Sequence, residues 1–302
     1  MKVSRNANTS LNTRRFVTIA ALLAATWLAG CGGGSGSQTP TVGTSGTGST
    51  GTSQYAKAYQ NAAWASTATV SFPSTCSMTF TTTGAPPYHS DYYLAPVSTQ
   101  YPTEVAQTPV SKTPMSVVPY MASLITSQTV TVNTCPQRAS ATTATNMGAI
   151  GYMISGEALF NPYEGGPSKV PAMSDNVSYT FTPSSGGSEQ TASFIDSCNS
   201  HPTPLTAGYT WHHHGIPTCL VAQVDGATGP SHLIGFALDG FPIYGGRDVN
   251  GKVISVSQLD ACNGITSATP EFPKGAYHYV LPVGVTGTHS SLNCYSGTPA
   301  SP

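Results

Sequence analysis

Histidines concentrate in one stretch of the chain, and their spacing is typical of a metal site. Four of the eight histidines lie within residues 201–214, and three of them are consecutive. If residues 209–215 form a strand, His212 and His214 point to one face and His213 to the other, because side chains alternate along a strand. Two imidazoles on one face, about 7 Å apart along the strand, can converge on one ion.

A third histidine from a neighbouring strand would complete a set of three nitrogen ligands. His278 is predicted to supply it, because it lies between two tyrosines in a similar aromatic context. Three histidines with one open position suit zinc or copper ions. His201, His232 and Asp239 are candidates for further ligands or for partners that orient the ligands. In the alternative interpretation, the histidines only form hydrogen bonds in a packed core and no cofactor binds.

Sequence motifs of other enzyme classes are missing. The chain has no GxSxG nucleophile elbow, no phosphate-binding loop and no dinucleotide-binding fingerprint. No spacing of acidic residues singles out a pair for glycoside hydrolysis. Catalytic residues are therefore unassigned. The histidine site is the leading candidate for a reaction, and acidic pairs among Glu157, Asp239 and Asp260 stay open as an alternative.

Several segments resemble, in order, the signature blocks of a known family. Residues 211–215 (WHHHG) are similar to a Tyr-His-Tyr-His-Gly signature, and residues 277–280 (YHYV) are similar to a second Tyr-His-Tyr-His signature. Residues 231–245 and 259–264 resemble the blocks between them. The series resembles the YHYH domain family over about residues 85–295.

This resemblance implies an exported domain and no particular reaction. The chain departs from the signatures at three positions, since Trp211 and His213 replace tyrosines and Val280 replaces the last histidine. If that last histidine binds metal in relatives, this chain lacks one ligand.

The amino terminus is typical of a bacterial lipoprotein. Residues 1–30 carry four basic residues and no acidic one, and end in a 15-residue apolar run that is too short to span a bilayer. The last residues before Cys31 are Leu-Ala-Gly, which matches a lipobox. We expect cleavage before Cys31, lipid attachment to its thiol and an anchor in the cell envelope, facing the periplasm or the outer membrane. An ordinary signal peptide with a chance cysteine is the alternative.

The composition of the mature chain limits its partners. Cleavage leaves 7 Lys and Arg (11 minus 4) against 12 Asp and Glu, a net charge of −5. Without a basic patch, nucleic acid is not an expected partner. Residues 31–60 are rich in Gly, Ser and Thr and are predicted to be a flexible linker. Residues 61–302 are expected to fold as the domain.

Six cysteines follow Cys31, and an even number in an exported chain suggests three disulfides. Six cysteines allow 15 pairings. Proximity in sequence favours Cys198–Cys219 and Cys262–Cys294, which leaves Cys76–Cys135. A cysteine-ligated metal site is the alternative, although the chain has no CxxC spacing.

Short β-branched or alternating runs separated by turn residues predict an all-β fold, whereas long helical periodicity is absent. We expect an irregular, loop-rich β-sandwich, or paired β units, stapled by disulfides. A helical turn or two is expected only at Gln258–Cys262. The predicted strands are Ala68–Phe72, Ser116–Val118, Thr129–Val132, Val177–Phe181, Cys219–Val224 and Lys252–Val256.

Two stretches of the chain are alike and suggest an internal repeat. Residues 150–160 align with residues 234–244, and each reads as a strand, a tight turn containing glycine and a second strand. If the repeat is real, it predicts two similar β units packed face to face. Chance likeness between hairpins is the alternative.

Three functions fit these observations. The first is an exported, lipid-anchored β domain that binds a transition metal through His212, His214 and His278. The second is a metal-dependent hydrolase or oxidoreductase that uses the same site. The third is a structural or adhesive envelope domain whose histidines only pack. A protein or small-molecule partner is not indicated by the sequence.

Overall fold

The computed structural model describes most of the chain beyond the amino-terminal segment. The predicted signal peptide, Cys31 and most of the predicted linker lie outside the described residues. Within the described residues, no helix is long and apolar enough to cross a membrane. The described residues are 53–88, 92–96, 115–120, 123, 125–164, 171–174, 178–182, 186–193, 195–202 and 210–301.

Short strands dominate the described residues, which confirms the all-β class. The helices are α1 (Gln54–Asn61) and α2 (Thr218–Val224), with single 3-10 turns at Ala172–Ser174 and Val256–Gln258. The strands are β1 (Ala68–Ser74), β2 (Ser77–Thr82), β3 (Tyr92–Pro96), β4 (Met115–Pro119), β5 (Gln128–Asn133), β6 (Thr143–Ala144), β7 (Ala149–Met153), β8 (Ala158–Phe160), β9 (Ser178–Phe181), β10 (Gln190–Ser193), β11 (Ser200–Pro202), β12 (Trp211–His213), β13 (Leu233–Ala237), β14 (Pro242–Tyr244), β15 (Gly264–Ser267), β16 (Ala276–Val280) and β17 (Cys294–Tyr295).

An open, eight-stranded sheet forms the centre, in the order β11-β12-β8-β7-β13-β14-β16-β15. A three-stranded sheet, β1-β2-β5, contributes apolar side chains to the same core. Phe80 of that small sheet lies 5.1 Å, between ring centroids, from Phe236 of the central sheet, and Tyr152 lies 5.2 Å from Phe80. Such large aromatic side chains bury much apolar surface, which stabilises the fold.

The repeated stretches of sequence form two neighbouring hairpins, β7–β8 and β13–β14. Strands β7 and β13 pair antiparallel, with Tyr152 opposite Phe236, so the two hairpins lie side by side in one sheet. The expectation that similar units pack face to face is therefore wrong, because backbone hydrogen bonds join them edge to edge. An approximate two-fold axis passes between β7 and β13 and relates one hairpin to the other.

Glycines explain why the two hairpins can approach so closely. A Cβ atom on Gly151 would lie 2.4 Å from the carbonyl oxygen of Phe236, and one on Gly235 would lie 2.5 Å from that of Tyr152. Both distances are far below a van der Waals contact. The equivalent glycine in each hairpin is thus required by the backbone of the other.

The repeat extends to the loops that precede β11 and β15. In each loop an aspartate, Asp196 or Asp260, accepts hydrogen bonds through Oδ1 from the backbone N–H groups two and four residues later. Asn199 and Asn263 follow at equivalent positions with positive φ angles of 62° and 65°. Asparagine tolerates this left-handed conformation better than most residues.

The predicted disulfides are confirmed: Cys76–Cys135, Cys198–Cys219 and Cys262–Cys294 are bonded. The second bond joins the loop before β11 to α2, and the third joins the loop before β15 to β17. Each of these two bonds fixes the loop that leads into an edge strand of the central sheet. Cysteine ligation of a metal is thereby excluded for these six residues.

Two strand predictions are wrong. Cys219–Val224 lies in helix α2, which buries Leu220 and places Val221 and Val224 against the core at helical spacing. Lys252–Val256 forms only one isolated bridge, between Arg247 and Val253, because no strand runs beside the rest of it within the described residues.

The helical predictions also need correction. A 3-10 turn occupies Val256–Gln258 and ends there, since Leu259 has an extended backbone. The expected helical turn at Gln258–Cys262 is thus shifted towards the amino terminus. The predicted linker, residues 31–60, extends too far towards the carboxyl terminus. Helix α1 forms within its last residues and buries Tyr55 and Tyr59 in the core.

Candidate functional site

Three histidines of neighbouring strands form a group that could hold a metal ion. Strands β11 and β12 pair antiparallel with His201 directly opposite His212, so both side chains project to the same face. His214 follows His212 by two residues and shares that face. One ring nitrogen from each residue lies within 4.8 Å of the others, and all three residues are buried.

The backbone sets the tautomer of two of these rings. Nδ1 of His212 donates to the carbonyl oxygen of Thr210 at 2.9 Å, and Nδ1 of His214 donates to that of Asn161 at 2.6 Å. A carbonyl oxygen can only accept, so each Nε2 in the neutral ring carries a lone pair. These two Nε2 atoms lie 3.0 Å apart. Two lone pairs at that distance repel each other unless a proton or a cation lies between them.

Glu164 adds an oxygen to the group. Its Oε1 lies 3.0 Å from Nε2 of His201 and 3.0 Å from Nε2 of His214, and its side chain is 20% exposed whereas the two imidazoles are almost fully buried. Sequence reasoning missed this residue, because nothing in the loop that follows β8 marks it. Its position results from the path of that loop past β12.

The charges of the group favour a neutral His212 beside an ionised Glu164. Burial, with smaller contributions from His201 and His214, lowers the pKa of His212 well below its usual value. Burial alone would raise the pKa of Glu164, but His201 and His214 outweigh it and hold that pKa well below its usual value. Metal binding requires deprotonated ligands, so both shifts prepare the group for a cation near neutral pH.

Aromatic packing fixes the orientation of the rings. Phe160 stacks on His212 with ring centroids 3.7 Å apart, and its edge meets His214 at 5.9 Å. Behind them, Nε1 of Trp211 donates to Oγ of Ser200 at 2.7 Å, which ties β12 to β11. Rings held in this way need little reorganisation to bind an ion.

The donor set fits a small divalent transition metal. In tetrahedral zinc sites with bonds of about 2.0–2.1 Å, neighbouring ligand nitrogens are about 3.3 Å apart. The 3.0 Å between the Nε2 atoms of His212 and His214 is close to that value. Three imidazole nitrogens and one carboxylate oxygen suit Zn²⁺ or Cu²⁺ better than Ca²⁺ or Mg²⁺, which prefer oxygen ligands.

His278 is not part of this group. Strand β16 is separated from β12 by four strands of the central sheet, which corresponds to about 24 Å. His278 instead occupies the position in the second repeat that His212 occupies in the first. Ile265 lies opposite His278 where His201 lies opposite His212, so the second repeat lacks the matching ligand.

The other predicted residues have different roles. His232 faces Glu271, with Nδ1 2.9 Å from Oε1. Asp239 accepts hydrogen bonds from the hydroxyl of Tyr279 and from the backbone N–H of Phe241 and Gly297. Neither residue belongs to the histidine group. Of the three residues named as extra ligands, only His201 lies in it.

His213 is also outside the group. It is completely buried, its Nδ1 lies 3.3 Å from the carbonyl oxygen of Asn199, and burial lowers its pKa to about 4. It is thus a neutral, packed imidazole at pH 7. His201, His212 and His214 do not line the four best-formed cavities among the described residues, which measure about 300–670 Å³.

Comparison with known proteins assigns a family to the chain. Residues 129–252 and 248–297 match the family model described as YHYH protein, and together they cover more than half of the chain. The match includes β12, β16 and both repeated hairpins. No curated protein and no solved structure matches the chain.

Proposed function

The chain belongs to the YHYH protein family, and on that premise we propose that it binds one transition metal ion, Zn²⁺ or Cu²⁺, through His201, His212, His214 and Glu164. The observation that carries the proposal is the pair of Nε2 lone pairs 3.0 Å apart beside a carboxylate oxygen. A metal cation between these atoms satisfies all of them, whereas without a cation or an added proton the two lone pairs face one another.

The ligand residues His212, His214 and Glu164 have two kinds of role in this proposal. The carbonyl oxygens of Thr210 and Asn161 hold the Nδ1–H groups, so that His212 and His214 present Nε2 to the ion. Glu164 balances one unit of the positive charge. Because its side chain is the partly exposed member of the set, it also lies on the side from which an ion enters.

Metal titration of the mature, untagged protein tests the proposal. Treatment with a chelator followed by titration with Zn²⁺ and with Cu²⁺ is expected to show one site per chain. His212→Ala and His214→Ala are each expected to weaken that site by at least about tenfold, because each removes a ligand. His278→Ala is the matched control, since it removes a buried histidine at the equivalent position of the second repeat.

Two results would overturn the proposal. One is that neither metal binds with a stoichiometry near one. The other is that His212→Ala binds as tightly as the parent, or that His278→Ala weakens binding as strongly as His212→Ala. Circular dichroism of each variant shows whether it is folded.

We further propose that the protein is exported, cleaved before Cys31 and anchored in the cell envelope by lipid on that cysteine. The lipobox-like Leu-Ala-Gly-Cys sequence supports this, and three disulfides agree with an oxidising compartment. Mass spectrometry of the mature amino terminus is expected to find an acylated Cys31. An unmodified Cys31 within an uncleaved chain would contradict the proposal.

A further inference from the structure

The second repeat carries a different cluster where the first carries the metal ligands. His278 packs edge-on against Tyr244 with ring centroids 4.8 Å apart, at the position where Phe160 stacks on His212 in the first repeat. Tyr244 carries a hydroxyl group that Phe160 lacks. This hydroxyl donates a hydrogen bond to Oε2 of Glu271 at 2.9 Å. The other oxygen of Glu271 faces Nδ1 of His232 at 2.9 Å.

The contact with Glu271 determines which ring nitrogen of a neutral His232 carries the proton. A carboxylate can only accept, so Nδ1 of the neutral ring donates to Glu271 and Nε2 is left as an acceptor. No described residue forms a hydrogen bond with that Nε2, and the side chain is 40% exposed. Glu271 is itself held by Tyr244, whose hydroxyl also accepts from Thr269 at 3.2 Å. When its ring is neutral, His232 is thus an oriented hydrogen-bond acceptor.

His232 and Glu271 line a cavity of about 550 Å³ between α1, α2 and the β7–β8 hairpin. Its walls are mainly apolar and include Ile154, Leu220 and Leu233. Ser155 also lines it. A volume of several hundred Å³, apolar walls and a few oriented polar groups are typical of small-molecule sites.

We propose that this cavity binds a small, neutral, largely apolar molecule bearing a hydroxyl group, which donates a hydrogen bond to Nε2 of His232. A charged ligand would lose its hydration against the apolar walls. Glu271, the one carboxylate among the described residues that line the cavity, is already bound by the Tyr244 hydroxyl and the His232 ring. The free acceptor of His232 therefore selects a neutral hydroxyl donor. The site needs no metal ion.

A pair of fluorescent probes tests the proposal in the presence of a chelator, so that its outcome is independent of the metal site. The probe 2-naphthol has an apolar two-ring body and an acidic hydroxyl, and 2-methoxynaphthalene has the same body without the donor. We expect saturable binding of 2-naphthol to the mature protein. Loss of one neutral hydrogen bond corresponds to about fivefold in affinity, so the methoxy probe is expected to bind about fivefold more weakly.

Variants locate the binding. His232→Asn keeps an N–H group that can reach Glu271 but removes the Nε2 acceptor, and is expected to bind both probes with the same weak affinity. His289→Asn is the control, because His289 is a partly buried histidine outside this cavity that bonds Asn263. Ala62→Trp fills the cavity from the end of α1 and is expected to abolish binding of both probes.

The proposal is overturned by any of three results. The first is that 2-naphthol shows no saturable binding to the parent protein. The second is that His232→Asn binds 2-naphthol as tightly as the parent. The third is that Ala62→Trp, folded by circular dichroism, leaves binding of the probes unchanged.

Discussion

Glu157 offers a direct test of how burial controls charge in this fold. It follows the turn of the β7–β8 hairpin and its side chain is completely buried. The hydroxyls of Ser155 and Tyr88 interact with its carboxylate, although neither forms a hydrogen bond of normal geometry with it. Burial raises the pKa of Glu157 to about 7 from an ordinary value of 4.5, and the neighbouring Ser155 hydroxyl offsets only part of that rise.

The size and sign of the effect on stability follow from proton linkage. Between pH 4.5 and 7 the folded state holds the Glu157 proton more tightly than the unfolded chain, so stability falls as the pH rises through that range. A shift of 7 minus 4.5, at about 1.36 kcal/mol per pH unit, corresponds to about 3 kcal/mol at pH 8. Glu157→Gln resembles the protonated acid in shape and cannot ionise, so it avoids this loss.

Urea unfolding of the parent and of Glu157→Gln at several pH values measures the effect. The difference in free energy of unfolding is expected to be small at pH 4 and to rise to about 3 kcal/mol in favour of the variant at pH 8. Comparing the two proteins at each pH cancels the titration of all other groups. Glu189→Gln, an exposed position, serves as the control and is expected to show no such rise.

A pH-independent difference between Glu157→Gln and the parent would refute the reasoning. So would a variant that becomes less stable than the parent as the pH rises. Either result would mean that Glu157 is not a buried acid whose charge is opposed by its surroundings.

Three further predictions concern the frame that positions the sites. Gly240→Ala is expected to lower the free energy of unfolding by about 3 kcal/mol or more in urea unfolding, because the new Cβ would lie 1.8 Å from the carbonyl oxygen of Asn133 and the backbone φ is +86°. Gly287→Ala is the control and is expected to be nearly neutral, because its Cβ would lie in open space. Replacing both Cys76 and Cys135 by serine removes a disulfide that spans a sequence separation of 59 and is expected to lower the free energy of unfolding by about 4 kcal/mol. An unchanged midpoint of urea unfolding would contradict this prediction. Tyr279→Phe removes the donor 2.5 Å from buried Asp239 and is expected to cost about 1–3 kcal/mol in thermal or urea unfolding.

Local sequence patterns correctly predicted mainly those features that are set by residues close together in the chain. Two disulfides follow proximity in the chain, and Cys76–Cys135 is the pair that remains. The repeated hairpins follow their glycine turns. The strand assigned to Cys219–Val224 failed because a short apolar run suits either a strand or a helix, and packing of Leu220 against the sheet decides between them.

The metal ligands could be predicted only in part, because strand order is set by long-range pairing. His212 and His214 follow from alternation within one strand. His201 is the third member because β11, rather than β16, lies beside β12, and its register places His201 opposite His212. The likeness between the sequences around His212 and His278 reflects the internal repeat, which relates them by symmetry and not by contact.

Anomalous diffraction from crystals of the mature protein, recorded at the zinc and copper absorption edges, tests the central claim most directly. The account predicts one peak among His201, His212, His214 and Glu164, about 2.0–2.1 Å from the three ring nitrogens. Metal-supplemented crystals with no peak at these histidines, or with the peak at His278 instead, would contradict it.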